Sequence, residues 1–266
     1  ESNLLIKSLT LRNLLSFGPD TPPFPLGPLN VLIGPNGSGK SNLVDAVAFL
    51  RASSTNMRTA LVGGVTEWIW KGNPNAEARV EAIVTNPFGR QSIRHTIDFA
   101  AYGQTFHLVD ESIENESPYP GQSDIYFYYR FQRGRPVVNV NDVRRSLARE
   151  TVEADSSIVA QRRDPDTYPE ITYLSNTYEK VRIYREWVFG RGRNSVFREP
   201  QPADMRNDRL AEDYSNLGLF LNRLRGVPKA KNAILEALRD LYEGLDAFHV
   251  NVEGNTVQVR FTEGDF

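Results

Sequence analysis

"VLIGPNGSGKSNLVDAVAFL", residues Val31 to Leu50, decides how the rest of the chain is read. Gly34, Pro35, Asn36, Gly37, Ser38, Gly39, Lys40 and Ser41 fill the pattern G-x-x-x-x-G-K-S/T at every position. Before them, Leu29, Val31, Leu32 and Ile33 form a short apolar run, as a buried parallel strand would. After them, Leu43, Ala46, Val47 and Leu50 recur with the spacing of one helix face. Strand, glycine loop and helix, in that order, are the context this pattern requires.

The chemistry of the stretch follows from its backbone. Gly34, Gly37 and Gly39 carry no Cβ, so the loop can turn tightly with its N–H groups pointing inward. Those donors, with the positive end of the helix dipole, favour a polyphosphate. Lys40 adds a full charge within reach of the β- and γ-phosphates. Ser41 offers its hydroxyl to Mg²⁺, and Asn42 follows it among the nucleotide-binding residues. ATP and Mg²⁺ are the expected cofactors. The loop itself specifies a nucleoside triphosphate and leaves ATP against GTP, and hydrolysis against binding, open.

Composition sets outer bounds. A chain of 266 residues makes one large or two small domains. Its 40% hydrophobic and 24% charged residues suit a soluble chain with a buried core. A net charge of −2 argues against a uniformly basic nucleic-acid binder and leaves a local patch open. Without cysteine there is neither a disulfide nor a thiolate metal site, which suits a reducing, cytoplasmic setting. No apolar run reaches the roughly 18 residues of a membrane span, so no membrane partner is expected. The first residue is Glu1 with no signal pattern after it, so the natural N-terminus is expected upstream or trimmed.

Along the chain, residues 4–17 read as a strand and a turn, with Leu9 and Leu11 alternating with polar neighbours. The proline-rich stretch 19–28 reads as a loop. From about 76 to 141 the period becomes two, with turn residues between short apolar rows, which predicts an antiparallel meander. A helix is expected from Pro169, with Ile171, Leu174, Tyr178 and Val181 on one side. Further helices are expected at 215–224 and 228–242. A closing hairpin should set Phe248, Val250 and Val252 opposite Val257, Val259 and Phe261 around Gly254-Asn255. Between them, 182–209 mixes arginines with Trp187, Phe189 and Phe197. That mixture reads either as a nucleic-acid contact or, given Glu199, Asp204, Asp208, Glu212 and Asp213, as a salt-bridged linker.

Hydrolysis also needs an acidic strand end for Mg²⁺ and a base to orient water. "FHLVDE", Phe106 to Glu111, imitates such a strand, yet it sits among short antiparallel turns where a parallel neighbour would need a crossover. Asp110 and Glu111 therefore read mainly as solvated strand-end acids. The histidines His95, His107 and His249 are scattered, and no cluster has metal-ligand spacing.

"LTLRNLLSFG", "LNVLIGPNGSGKSNLVDAV", the meander and "SSIVAQRRDPDTYPEI" before a helix together resemble the SMC/RecF-like branch of the ABC-type ATPases. Within it, the chain is most similar to bacterial AAA-type ATPases related to the OLD-family and RecF proteins. The resemblance implies an α/β P-loop NTPase head with a parallel core strand, an antiparallel β-meander and a helical insertion. It implies Gln161 as the glutamine that touches Mg²⁺ or the attacking water, and Arg12 and Asn13 near the base or phosphates. It implies a P-loop lobe over 1–150, a helical, arginine-rich insertion over 151–246, and a hairpin over 247–266 leading into a second lobe. No LSGG-like motif occurs, so the chain is expected to be the first part of a longer protein. The resemblance further implies a homodimer with ATP sandwiched between protomers, and a role with DNA in maintenance or in defence beside a nuclease or effector partner. The alternatives are a nucleotide-gated binding module with little hydrolysis, or a P-loop kinase or GTPase using Asp110.

Overall fold

A computed structural model describes residues 5–132, 134–140, 143–147, 152–185 and 201–264. The chain divides into two compact units, 1–181 and 182–266. The expected boundary at 150/151 is therefore not where the contacts part. The helices just after it pack in the first unit, and the closing hairpin belongs with the later helices.

The first unit begins with β1 (Ile6–Arg12), β2 (Phe24–Pro25) and α1 (Lys40–Ser53). A 3-10 turn (Met57–Ala60) and the single-turn α2 (Val65–Trp68) lead to β3 (Ala78–Val84), β4 (Ile93–Tyr102) and β5 (Thr105–Asn115). Then come β6 (Phe127–Gln132), β7 (Arg135–Val140) and β8 (Val143–Ser146), followed by α3 (Ile158–Gln161) and α4 (Pro169–Glu179). The strands form one eight-stranded sheet, β2-β1-β3-β4-β5-β6-β7-β8, in which every pairing is antiparallel.

Alternation decides which face of this sheet is buried. Ala78, Val80, Ala82 and Val84 of β3 and Ile93, Ile97 and Phe99 of β4 point to one core. Against them lie Leu43, Ala46, Phe49 and Leu50 of α1 and Ile171, Leu174 and Tyr178 of α4. The Phe49 and Phe99 rings meet tilted at 5.0 Å between centroids, and Phe106 lies tilted against Phe99 at 5.3 Å. Pro169 opens α4 at its first turn, where its missing N–H is harmless.

One expected element is corrected. Residues 29–33 are not a strand, and no parallel core strand occurs among the described residues. Leu29, Val31 and Ile33 are 84%, 72% and 91% exposed. The apolar run is real, but a strand exists only when neighbours complete its hydrogen bonds. Every described strand of the first unit is already ordered in a sheet that does not include this segment.

The second unit holds β9 (Gln201–Pro202), α5 (Leu217–Arg225), α6 (Pro228–Leu241), β10 (Leu245–Glu253) and β11 (Thr256–Glu263). Its sheet order is β10-β11-β9. The hairpin has the expected register, Phe248 opposite Phe261, Val250 opposite Val259 and Val252 opposite Val257. Gly254 takes the turn with φ +58°. Leu219, Phe248, Val250 and Val257 make its small core. Of the arginine-aromatic segment, residues 186–200 lie outside the described residues. Arg206 pairs with Asp208, as a salt-bridged linker would.

The Phe49–Phe99–Phe106 cluster sets the stability of the first unit. Phe99→Ala should lower its unfolding free energy by about 3–5 kcal/mol, read from the urea midpoint at unchanged slope.

Candidate functional site

The glycine loop is built by two left-handed glycines. Gly37 has φ +81° and Gly39 has φ +91°, both regions that side chains disfavour. Gly39 caps α1, whose first turn carries no acidic residue, so the helix N-terminus presents open N–H groups. Lys40 folds back over the loop. Its Nζ donates to Gly34 O and Pro35 O at 2.6 Å each and to Ser38 Oγ at 3.2 Å. An ammonium has three donors, and all three are held by the loop it is meant to serve. The charge is thereby stationed at the mouth of the cradle. Ser41 is exposed beside it, and Asn36 and Asn42 complete the loop and the first helical turn.

A second segment braces the loop from behind. After β1 the chain makes a tight turn over residues 13–18, closed by Asn13 N donating to Gly18 O and by Leu14 and Phe17 bonding each other. Asn13 and Leu15 both sit at φ +51°, a strained choice for leucine. Trp68 O and Trp70 N hold the turn through Leu15 N and Asn13 O. Ser16 Oγ accepts from Asn42 Nδ2 at 2.8 Å. A Cβ on Gly39 would lie 2.7 Å from that same Oγ and 3.4 Å from the Phe17 ring. So Gly39 is glycine for two reasons, its φ and the turn pressed against it.

The sequence pointed to Arg12 and Asn13 in this segment. Arg12 is exposed at the end of β1, and the amide of Asn13 donates to Glu77 O at 3.2 Å. The side chains that meet the loop are Ser16 and Phe17. Their signal in the sequence was only their place at the end of "RNLLSFG".

Gln161 ends α3. Its Oε1 accepts from Glu153 N at 2.8 Å, and its Nε2 donates to Ser156 O at 2.8 Å. Its carboxamide is thus spent on the backbone of its own loop, and none of its bonds reaches the glycine loop. Two residues on, Arg163 donates to Ser54 O, past the end of α1 opposite Lys40, and pairs with Glu179 at 2.7 Å.

"FHLVDE" lies on β5, antiparallel to both neighbours. The expectation of two solvated acids is corrected for Glu111. Its side chain is fully buried, and it accepts from His95 Nε2 at 2.9 Å, from Ser157 Oγ and from Ile158 N at 3.0 Å. His95 Nδ1 meets Tyr178 Oη at 2.8 Å. Burial first, and then the Glu111 charge, push the Tyr178 phenol far above its usual range. Tyr129 is pushed up in the same order. The histidine that looked scattered in sequence is one member of this buried chain. No group of three acids or histidines placed to hold a metal ion occurs among the described residues.

The family described as "AAA domain, putative AbiEii toxin, Type IV TA system" matches residues 29–263. The chain belongs to this family. Its AAA domain implies nucleotide binding. The chain is also 28% identical to the chromosome partition protein Smc of Coxiella burnetii over 137 residues, 52% of this chain and 11% of that protein. It is 35% identical to the Smc proteins of Mycolicibacterium paratuberculosis over 96 residues and of Mycobacterium tuberculosis over 98. Those matches cover 36% and 35% of this chain and only 7% and 8% of those proteins. No solved structure matches. No helix among the described residues is long and apolar enough to cross a membrane.

Gly39→Ala should weaken binding of a non-hydrolysable ATP analogue at least tenfold by calorimetry. Gly27→Ala, whose added Cβ meets only ordinary contacts beyond 3.6 Å, should leave it unchanged.

Proposed function

We propose that this chain binds ATP·Mg²⁺ at residues 34–42 and forms the first lobe of an ATPase head. The observation that carries the reading is the Lys40 ammonium held over the Gly34 and Pro35 carbonyls, between two left-handed glycines and an open helix N-terminus. The donors present suit a triphosphate tail. Backbone N–H groups of the loop and of the first turn of α1 would take the phosphate oxygens, and Lys40 would exchange its carbonyl partners for the β- and γ-oxygens. Ser41 would hold Mg²⁺, which supplies charge neutralisation at the phosphates when bound. Ser16 and Phe17 keep Gly39 in place throughout.

Gln161 has the metal- or water-facing role in this proposal. To act there, its amide must first leave the carbonyls of Glu153 and Ser156. A second lobe gives both events a cause. The exposed run Leu29, Val31 and Ile33 leads straight into the loop, and a neighbouring strand paired to it would bury three apolar side chains and steady the loop from the front. The chain spans about a tenth of the length of the Smc proteins it matches, so hydrolysis, the ATP-sandwiched homodimer and any nuclease or effector partner are proposals about a larger assembly. A DNA-directed role, in maintenance or in defence against mobile DNA, rests on the family resemblance, and the name of the chromosome partition proteins supports the first of these. It is the broadest part of the reading.

Calorimetry on the native chain should give a magnesium-dependent isotherm with ATP, weakened at least tenfold in Lys40→Ala. Flat isotherms for both proteins would overturn the proposal. Binding without turnover in the full-length protein would mark a nucleotide-gated binding module, and a preference for guanine nucleotides would favour the GTPase alternative.

A further inference from the structure

Between Asp98 and Phe99 the register of β4 against β5 slips. Asp98 opposes Asp110, while Phe99 opposes Leu108, which leaves Val109 as an extra residue. Unbroken alternation from Phe106 and Leu108 would turn Asp110 inward and Glu111 outward. Instead Glu111, Ile113 and Asn115 are buried and Asp110 is only half-buried. A bulge of this kind re-aims a side chain. Here it delivers a carboxylate to the core face, beside His95 and under the start of α3.

The donors around that carboxylate can be followed one by one. Ser157 caps α3 by accepting from Val159 N, and its hydroxyl donates to Glu111 Oε1. Ile158 N, the next open donor of the turn, goes to Glu111 Oε2. A carboxylate only accepts, so His95 donates from Nε2, while its Nδ1 meets the Tyr178 hydroxyl at 2.8 Å. Tyr178 lies on α4, so the chain of bonds ties β4, β5, α3 and α4 at one point. A four-residue helix has no stability of its own, so bonds such as these set its place. An apolar contact would hold the turn down without fixing its rotation; two directional bonds from Ser157 and Ile158 to a carboxylate that His95 holds from β4 fix both.

We propose that Glu111 is a positioning residue of the nucleotide site, fixing Ser157 and Ile158 and with them the turn that carries Gln161. The proposal rests on the reading of Gln161 given above. Glu111 touches neither nucleotide nor metal. It determines where the Gln161 backbone stands, and so from where its amide can reach once it leaves Glu153 and Ser156.

Glu111→Gln keeps the shape and sets an amide NH₂ against one of three donors. In the full-length protein, amide exchange at residues 158–161 should quicken at least tenfold. The kcat for ATP should fall at least tenfold with KM held within threefold. Gln161→Ala should lower kcat by a similar factor, and the double variant should fall no further. Val138→Ala, a buried β7 site outside this chain of bonds, controls for lost stability and should turn over like the native protein. Unchanged exchange at 158–161 in Glu111→Gln overturns the proposal, as does an equal fall of kcat in Val138→Ala. If Gln161→Ala turns over like the native protein, the reading of Gln161 has failed. The exchange result then decides Glu111 by itself, faster exchange supporting its hold on the turn and unchanged exchange ending it.

Discussion

The contact of Phe49 with Phe99 is the constraint on which the glycine loop depends. A helix advances about 100° per residue, so its N-terminus presents a given set of N–H groups in one direction only if its rotation is locked. Leu43, Ala46, Phe49 and Leu50 lock it by lying on the sheet, and the ring contact at 5.0 Å makes the lock specific in angle as well as in depth. Each large apolar side chain of that set contributes about 1.5–3 kcal/mol by leaving water. The loop inherits its aim from this face. Gly37 and Gly39 then permit the bend, and the strained turn at Asn13 and Leu15 closes the space behind it.

Front and back of the loop are treated differently. Behind it, the turn that carries Ser16 and Phe17 is tied by Leu15 N to Trp68 O and by Asn13 O to Trp70 N. In front, Leu29 to Ile33 carries exposed apolar side chains and no strand partner among the described residues. An apolar segment in water next to an ordered anion cradle is costly to leave bare. The cost falls on the segment whose ordering would stiffen Gly34, the first residue of the loop. Anything that pairs with this segment would bear on Gly34 through the backbone.

Much of this was legible in the residues. The loop, the helix after it, the meander, the first turn of α4 and the hairpin register each follow from local periods and turn chemistry, which tertiary packing here obeys. The strand at 29–33 was misread because an apolar run records what a segment prefers to bury, not whether a neighbour is present to bury it. Arg12 and Asn13 came from the family resemblance; that Ser16 and Phe17 press on Gly39 depends on a turn at positive φ that no period describes. Gln161 came from the family resemblance, which could not foresee its bonds to Glu153 and Ser156.

Glu111 is the clearest case of a residue hidden by its own local pattern. In "FHLVDE" the alternation assigns it to solvent, and a single inserted residue at Val109 reverses that assignment for the rest of the strand. Burying an ionised carboxylate carries a desolvation penalty of several kcal/mol, which an apolar side chain at the same place would avoid. Stability alone therefore gives no reason for the bulge, since regular pairing would put the acid in water and Asp110 in its place could be replaced by valine or isoleucine. The arrangement becomes intelligible once the needed quantity is orientation. His95 holds the carboxylate from β4, and Ser157 and Ile158 bind it from the turn, so the turn is held at two points to a fixed acceptor. Places where local pattern and folded structure disagree, at evident cost, are where function is expected to have set the terms.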